Sequence, residues 1–150
     1  SSLRCVKRFQ HSSMRPDHLA KLMNEAVIYL SLEHPLVARL FDVYEDEDET
    51  SLVMQYCAGG TLEDVLVKSG AFSEKEFQDH AVQMLRVVSY IHRMGIVHRD
   101  IKPRNWVYEA DRMVVKLIDF GFSVKKLIVG EADDDDSGNL TGCLGTLGYL

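Results

Sequence analysis

The pair Gly59-Gly60 divides this chain into two stretches of different periodicity. Upstream of it, residues alternate in strand fashion, with Leu3, Cys5, Lys7 and Phe9 on one side of a segment whose other side carries Arg4, Val6 and Arg8. Residues 37–44 and 51–57 read as two further strands, an antiparallel hairpin joined by the acidic turn Glu45-Asp46-Glu47-Asp48-Glu49-Thr50. One amphipathic helix is expected between the first strand and this hairpin. Pro16 suits its first turn, Leu19, Leu22, Met23, Ala26, Val27 and Leu30 line its apolar stripe with Glu25 on the flank, and His34-Pro35 ends it. Downstream of the glycines, helices take over. Thr61 with Asp64 and Ser73 with Glu76 are capping-box signals. The first starts a short helix that Gly70 terminates. The second starts a longer one with Phe77, Ala81, Met84, Leu85, Val88 and Ile91 on one face, stopping at Gly95. A small hairpin follows, 106–108 and 114–118. Strands and helices segregated in this way specify an α+β chain with a sheet-rich part and a helix-rich part.

Composition narrows the function classes. The chain has 150 residues, 46% of them hydrophobic and 27% charged, which suits one globular unit rather than a disordered one. No apolar run approaches the roughly 20 residues of a membrane span, and the first residues have neither the basic nor the apolar region of a signal peptide, so a cytoplasmic or nuclear address is expected. Cys5, Cys57 and Cys143 are far apart and odd in number, so reduced thiols are expected rather than disulfides or a zinc site. The net charge of −6 owes five units to Glu131 and Asp133 to Asp136; the remainder carries about −1 and no basic stripe for nucleic acid.

Chemistry concentrates in two places. Lys7 lies on the mostly apolar face of its strand, where an ammonium needs an anion, and Glu25 on the following helix is the candidate partner. Further on, His98-Arg99-Asp100-Ile101-Lys102-Pro103-Arg104-Asn105 is followed, after the small hairpin, by Asp119-Phe120-Gly121. Phosphoryl transfer from Mg-ATP needs a carboxylate to orient the acceptor hydroxyl, hard oxygen ligands for a divalent cation and a cation on the phosphates. Taken singly these signals are weak, since an isolated loop aspartate usually caps or is solvated. In this order they are strong.

The run resembles the H-R-D-x-K-x-x-N catalytic loop and D-F-G motif of the eukaryotic-type protein kinases, and Arg4-Cys5-Val6-Lys7 with Asn24-Glu25 resembles their V-A-I-K strand and paired helix glutamate. The resemblance implies an incomplete kinase-like bilobal fold, with residues 1–58 from the sheet lobe up to the hinge and 59–150 from the helical lobe through the activation segment. It implies ATP and Mg²⁺ as cofactors and a protein substrate. Asp100 is then the catalytic acid-base residue, Lys102 steadies the transferred group, Asn105 and Asp119 ligate Mg²⁺, and Lys7 with Glu25 positions the α and β phosphates. Met54 falls at the gatekeeper, the backbone of Gln55 and Cys57 at the hinge, and Cys5 and Val107 above and below the adenine. Tyr29, Leu40, His98 and Phe120 fall where the family stacks its regulatory spine. For Met54, Cys57 and Val107, plain core packing is the competing reading. Lys102-Pro103 resembles the serine/threonine branch. The wording from His34 to Leu62 is most like the calcium- and calmodulin-dependent group, which implies a regulatory protein partner, although no calmodulin-binding helix or EF-hand loop lies within the chain.

Asp119 to Tyr149 resembles the activation segment. Within it, Asp133 to Asp136 could pair with Arg99 in the manner of a phosphate, Thr141 or Ser137 could receive one, and Thr146 is expected to hydrogen-bond Asp100. The family's glycine-rich loop would precede Lys7 and its A-P-E and substrate-binding helices would follow Leu150. The helix from Ser73 to Met94 is therefore expected to leave part of its apolar face uncovered in this stretch of chain. Other departures are Cys5 for alanine, Arg104 for the usual acid, Leu147 for proline and Thr61 where an acid often contacts ribose. A non-catalytic kinase-like scaffold is the alternative reading. Retention of Lys7, Asp100 and Asp119 weighs against it.

Overall fold

The computed structural model describes residues 3–111 and 113–125. Strands β1 (Arg4–Gln10), β2 (Leu40–Glu45) and β3 (Glu49–Gln55) form an antiparallel sheet in the order β1-β3-β2, with Lys7 opposite Leu52 and Cys5 opposite Met54. The β2–β3 turn is tighter than the sequence suggests, because the Asp46 carboxylate accepts the N–H groups of Asp48 and Glu49 and closes it early.

Helix α1 (Pro16–Leu30) packs beside β2. Its buried stripe is Leu22, Glu25, Ala26, Ile28 and Tyr29, whereas Val27 and Leu30 are exposed. The stripe is thus rotated from the one expected, and Glu25 lies within it rather than on its flank. Residues after α1 reach the helical part before they reach the sheet: Val37 bridges Leu117 in parallel, the Leu117 N–H donates to Leu36 O, and the Ala38 N–H donates to Leu117 O.

Both capping boxes form. Thr61 and Asp64 open α2 (Leu62–Ser69), and Ser73 and Glu76 open α3 (Glu74–Arg93). Helix α3 buries His80, Val87 and Ile91, while Phe77 and Leu85 from the expected apolar face are exposed. Those two lie on a second apolar side. Phe77 lines an apolar cavity of about 450 Å³ with Leu66, Met84, Ile101 and Trp106, matching the expectation that part of this helix stays uncovered. Strands β5 (Trp106–Tyr108) and β6 (Val115–Leu117) form the small hairpin. A second short pair, β4 (Ile96–Val97) with β7 (Val124–Lys125), frames the loop between them.

The core is continuous across both parts. Leu22, Tyr29, Leu40 and Leu52 from the sheet side join Val87, Ile96, Trp106, Leu117 and Phe120 from the helical side in one buried cluster. The two parts also share backbone hydrogen bonds: Ala58 N–H to Glu109 O at 2.8 Å, Gly59 N–H to Tyr108 O at 3.1 Å and Tyr108 N–H to Gly60 O at 2.9 Å. Among the described residues no helix is long and apolar enough to cross a membrane.

Candidate active site

Asp100 sits in the loop after β4 and is 5% exposed. A carboxylate so buried must be hydrogen-bonded or paired. The Lys102 ammonium donates to Oδ2 at 2.7 Å, and the Asn105 amide donates to the same oxygen at 3.0 Å and to the Asp100 carbonyl at 2.9 Å. A 3-10 turn at Pro103–Asn105 brings Asn105 back onto the aspartate. The preceding residue, Arg99, has φ 64°, and its Nε donates to the Phe122 carbonyl at 2.7 Å.

His98 anchors this loop from below. The Asp100 N–H donates to His98 Nδ1 at 3.2 Å, and Nε2 lies 3.3 Å from the Ile118 carbonyl, so the ring is neutral with its proton on Nε2. Burial holds its pKa below the ordinary histidine value, which agrees with that tautomer. The ring meets Phe120 edge-on at 4.9 Å, and Phe120 meets Tyr29 edge-on at 4.7 Å. Tyr29, Phe120 and His98 therefore form one stack from α1 to the loop of Asp100, with Leu40 in the same buried cluster.

Asp119 follows β6 with φ 65°, a left-handed conformation that carries a cost outside glycine. The backbone entering it is fixed, since the Ile118 N–H donates to the Asn105 carbonyl at 2.9 Å. Its carboxylate accepts the Gly121 N–H at 3.3 Å and lies 3.9 Å from Lys7 Nζ. The same ammonium is 3.6 Å from Glu25 Oε1. A Cβ on Gly121 would come within 3.2 Å of Glu25 Oε2 and 3.3 Å of Asp119 Oδ1, so the glycine leaves both carboxylates room beside the shared cation. Burial pushes the Glu25 carboxyl above its usual range; Lys7 pulls it back and Asp119 pushes it up further.

These groups open onto a cavity of about 440 Å³, within the range of small-ligand sites. Cys5, Lys7, Glu25, Met54, Gln55, Cys57, Val107 and Asp119 all line it. The described residues assigned from the sequence to the adenine and the phosphates thus line it, whereas Asp100, Lys102 and Asn105 are not among its lining residues. Thr141, Thr146, Ser137 and the acidic run Asp133 to Asp136 lie outside the described residues. Sequence reasoning passed over Lys116, which is buried with its ammonium 3.5 Å from Glu109 Oε1. Its signal was a lysine inside an otherwise apolar run, Val114-Val115-Lys116-Leu117-Ile118.

A protein-family model described as the protein kinase domain matches residues 1–150. Among curated proteins, calcium-dependent protein kinase 5 of Plasmodium berghei is 34% identical over 138 residues, 91% of this chain. Calcium/calmodulin-dependent protein kinase type 1 of Macrobrachium nipponense is 34% identical over 129 residues, 86% of this chain. The chain spans 23% and 35% of the lengths of those two proteins. With the whole chain matched, and with a sheet, helices and hairpin that make up part of a two-lobed kinase fold, the chain belongs to the protein kinase domain family.

Proposed function

We propose that the protein carrying this chain transfers the terminal phosphoryl group of Mg-ATP to Ser or Thr hydroxyls of protein substrates. One observation carries the reading: a buried aspartate held by Lys102 and Asn105 is tied, through the Asn105 carbonyl that accepts the Ile118 N–H, to the wall of a cavity in which Lys7 is shared between Glu25 and Asp119. In this reading the adenine lies between Cys5 and Val107 against the backbone of Gln55 and Cys57, with Met54 limiting the depth. The Lys7 ammonium meets the phosphates, and Glu25 keeps it pointed there. Asp100 orients the acceptor hydroxyl and takes its proton as the new P–O bond forms and the bond from the γ-phosphorus to the departing ADP breaks, while Lys102, already on that carboxylate, neutralises charge on the transferred group.

The donor set suits Mg²⁺. Asp119 and Asn105 are hard oxygen donors, and among the described residues no cluster of three or more His, Cys, Asp or Glu side chains is placed to hold a metal alone. A magnesium ion bound there with phosphate oxygens as further ligands would supply charge neutralisation on the phosphates. We assign the Ser/Thr acceptor from Lys102-Pro103. Residues 1–58 and 59–150 we read as portions of the two lobes, hinged before Gly59. Arg99 we read as the docking cation for a charge on the activation segment, with Thr141 and Thr146 as that segment's regulatory hydroxyls. The names of the two relatives favour a calcium-linked regulatory partner.

Thermal unfolding of the protein with increasing Mg-ATP tests the site. A ligand at a hundred times its Kd adds about 2.7 kcal/mol, so the midpoint should rise by several degrees. Asp119→Asn should remove most of that rise. An unshifted wild-type midpoint would defeat the nucleotide site.

A further inference from the structure

Lys116 is a buried cation that the proposed chemistry does not use. It lies in the middle of β6, 6% exposed, three residues before Asp119. Burying an ammonium is costly unless good partners meet it, so the partners indicate what it does. Nζ donates to the Pro35 carbonyl at 2.5 Å and stands 3.5 Å from Glu109 Oε1. That same oxygen accepts Gln55 Nε2 at 2.8 Å. Gln55 is bound in turn to the segment before β2, donating its N–H to Arg39 O at 2.8 Å and accepting the Arg39 N–H on Oε1 at 3.4 Å.

One ammonium thus joins the connection after α1, the end of β3, the β5–β6 turn and β6. Each of these runs into a wall of the nucleotide cavity: α1 carries Glu25, the chain after β3 carries Cys57, and the hairpin runs from Val107 to Asp119. Gln55 lines that cavity and also a second one of about 460 Å³ behind it, which Lys116, Pro35 and Arg39 line as well. Gln55 is the member of the network that lines both. Backbone bonds from Leu36 and Ala38 to Leu117 already pair β6 with the segment after α1. An apolar residue at 116 would leave those bonds in place. What the ammonium adds is the link onward to Glu109 and Gln55.

We infer that Lys116 is a positioning residue for nucleotide binding: through Pro35, Glu109 and Gln55 it fixes the end of α1, the segment after β3 and the strand leading to Asp119 at the separation that makes the cavity. The inference rests on the nucleotide site proposed above. In the intact protein, Lys116→Met should weaken Mg-ATP about tenfold, read both as Kd by calorimetry and as KM, with kcat and the KM for protein substrate changed less than about twofold. Glu109→Leu, at a side chain 44% exposed, should weaken Mg-ATP in the same way by a smaller factor. The double variant should be no worse than Lys116→Met, because both changes break one network. Should a single variant fail to fold, the double variant, which removes both charges at once, decides. Mg-ATP affinity unchanged in the variants that fold, whatever happens to their melting temperatures, would overturn the inference. Wild-type protein that binds no Mg-ATP would instead overturn the nucleotide site itself.

Discussion

Glu25 places a carboxylate in the most demanding position of this chain: 5% exposed, 3.6 Å from a half-exposed lysine and next to a second carboxylate. Its pKa in the fold lies above the ordinary 4.5 because burial outweighs the attraction of Lys7. The folded state therefore takes up this proton before the unfolded chain does as pH falls. The ionised form weighs against folding at neutral pH, and that weight is lifted between the raised pKa and 4.5. Activity should move the opposite way, since a protonated Glu25 releases Lys7. For Glu25→Gln we expect kcat lower by about 10²-fold and a melting temperature at pH 7 equal to or above that of wild type. That temperature gap should shrink on acidification toward pH 4.5. A Gln variant markedly less stable than wild type at pH 7 would contradict this. The Lys7–Glu25 pair was legible from residue type and order. The depth of Glu25 was not, because helical periodicity fixes a stripe only to within a residue or so, and exposed Val27 and Leu30 pulled the expected stripe to the wrong side.

Among elements, α2 and α3 were the most legible, since Thr61 with Asp64 and Ser73 with Glu76 announce their own hydrogen bonds. The face of α3 was read in part: Ile91 is buried and Ala81, Met84 and Val88 are half-buried as expected, while Phe77 and Leu85 stay exposed, because nothing in the sequence says how much of the face this part of the chain covers. The β4–β7 pair went unread, as strands of two residues have no period to detect. Gly59 was read as the boundary between the two parts, and the structure gives it a steric role as well. A Cβ there would stand 2.4 Å from Tyr108 Cβ, where the Gly59 N–H meets the Tyr108 carbonyl. Tyr108 is fully buried and cannot yield. Gly59→Ala should therefore cost about 1–3 kcal/mol in thermal or denaturant unfolding with secondary structure content unchanged. A neutral substitution would mean that the junction is looser than the geometry requires.

At the scale of the molecule, the cavity is a product of assembly: β1 supplies Cys5 and Lys7, α1 supplies Glu25, β3 and its exit supply Met54, Gln55 and Cys57, and the β5–β6 hairpin supplies Val107 and Asp119. Order along the chain was enough to name these groups. Their mutual placement depends on contacts that no local pattern encodes. The Tyr29–Phe120–His98 stack, the Asn105–Ile118 backbone bond and the Lys116–Pro35 hydrogen bond all join residues at least 13 positions apart. Under the proposed function these groups move a phosphoryl group onto a hydroxyl, with Asp100 taking the proton. The most direct test is transfer of label from γ-³²P-ATP with Mg²⁺ to a general protein substrate by the intact protein, followed by phosphoamino acid analysis, for wild type and Asp100→Asn. Label is expected in phosphoserine or phosphothreonine, with a rate lower by about 10²–10⁴ in Asp100→Asn and equal Mg-ATP affinity in the two proteins. Equal rates of labelling in the two proteins, or Mg-ATP bound by wild type without any transfer, would contradict the proposed function.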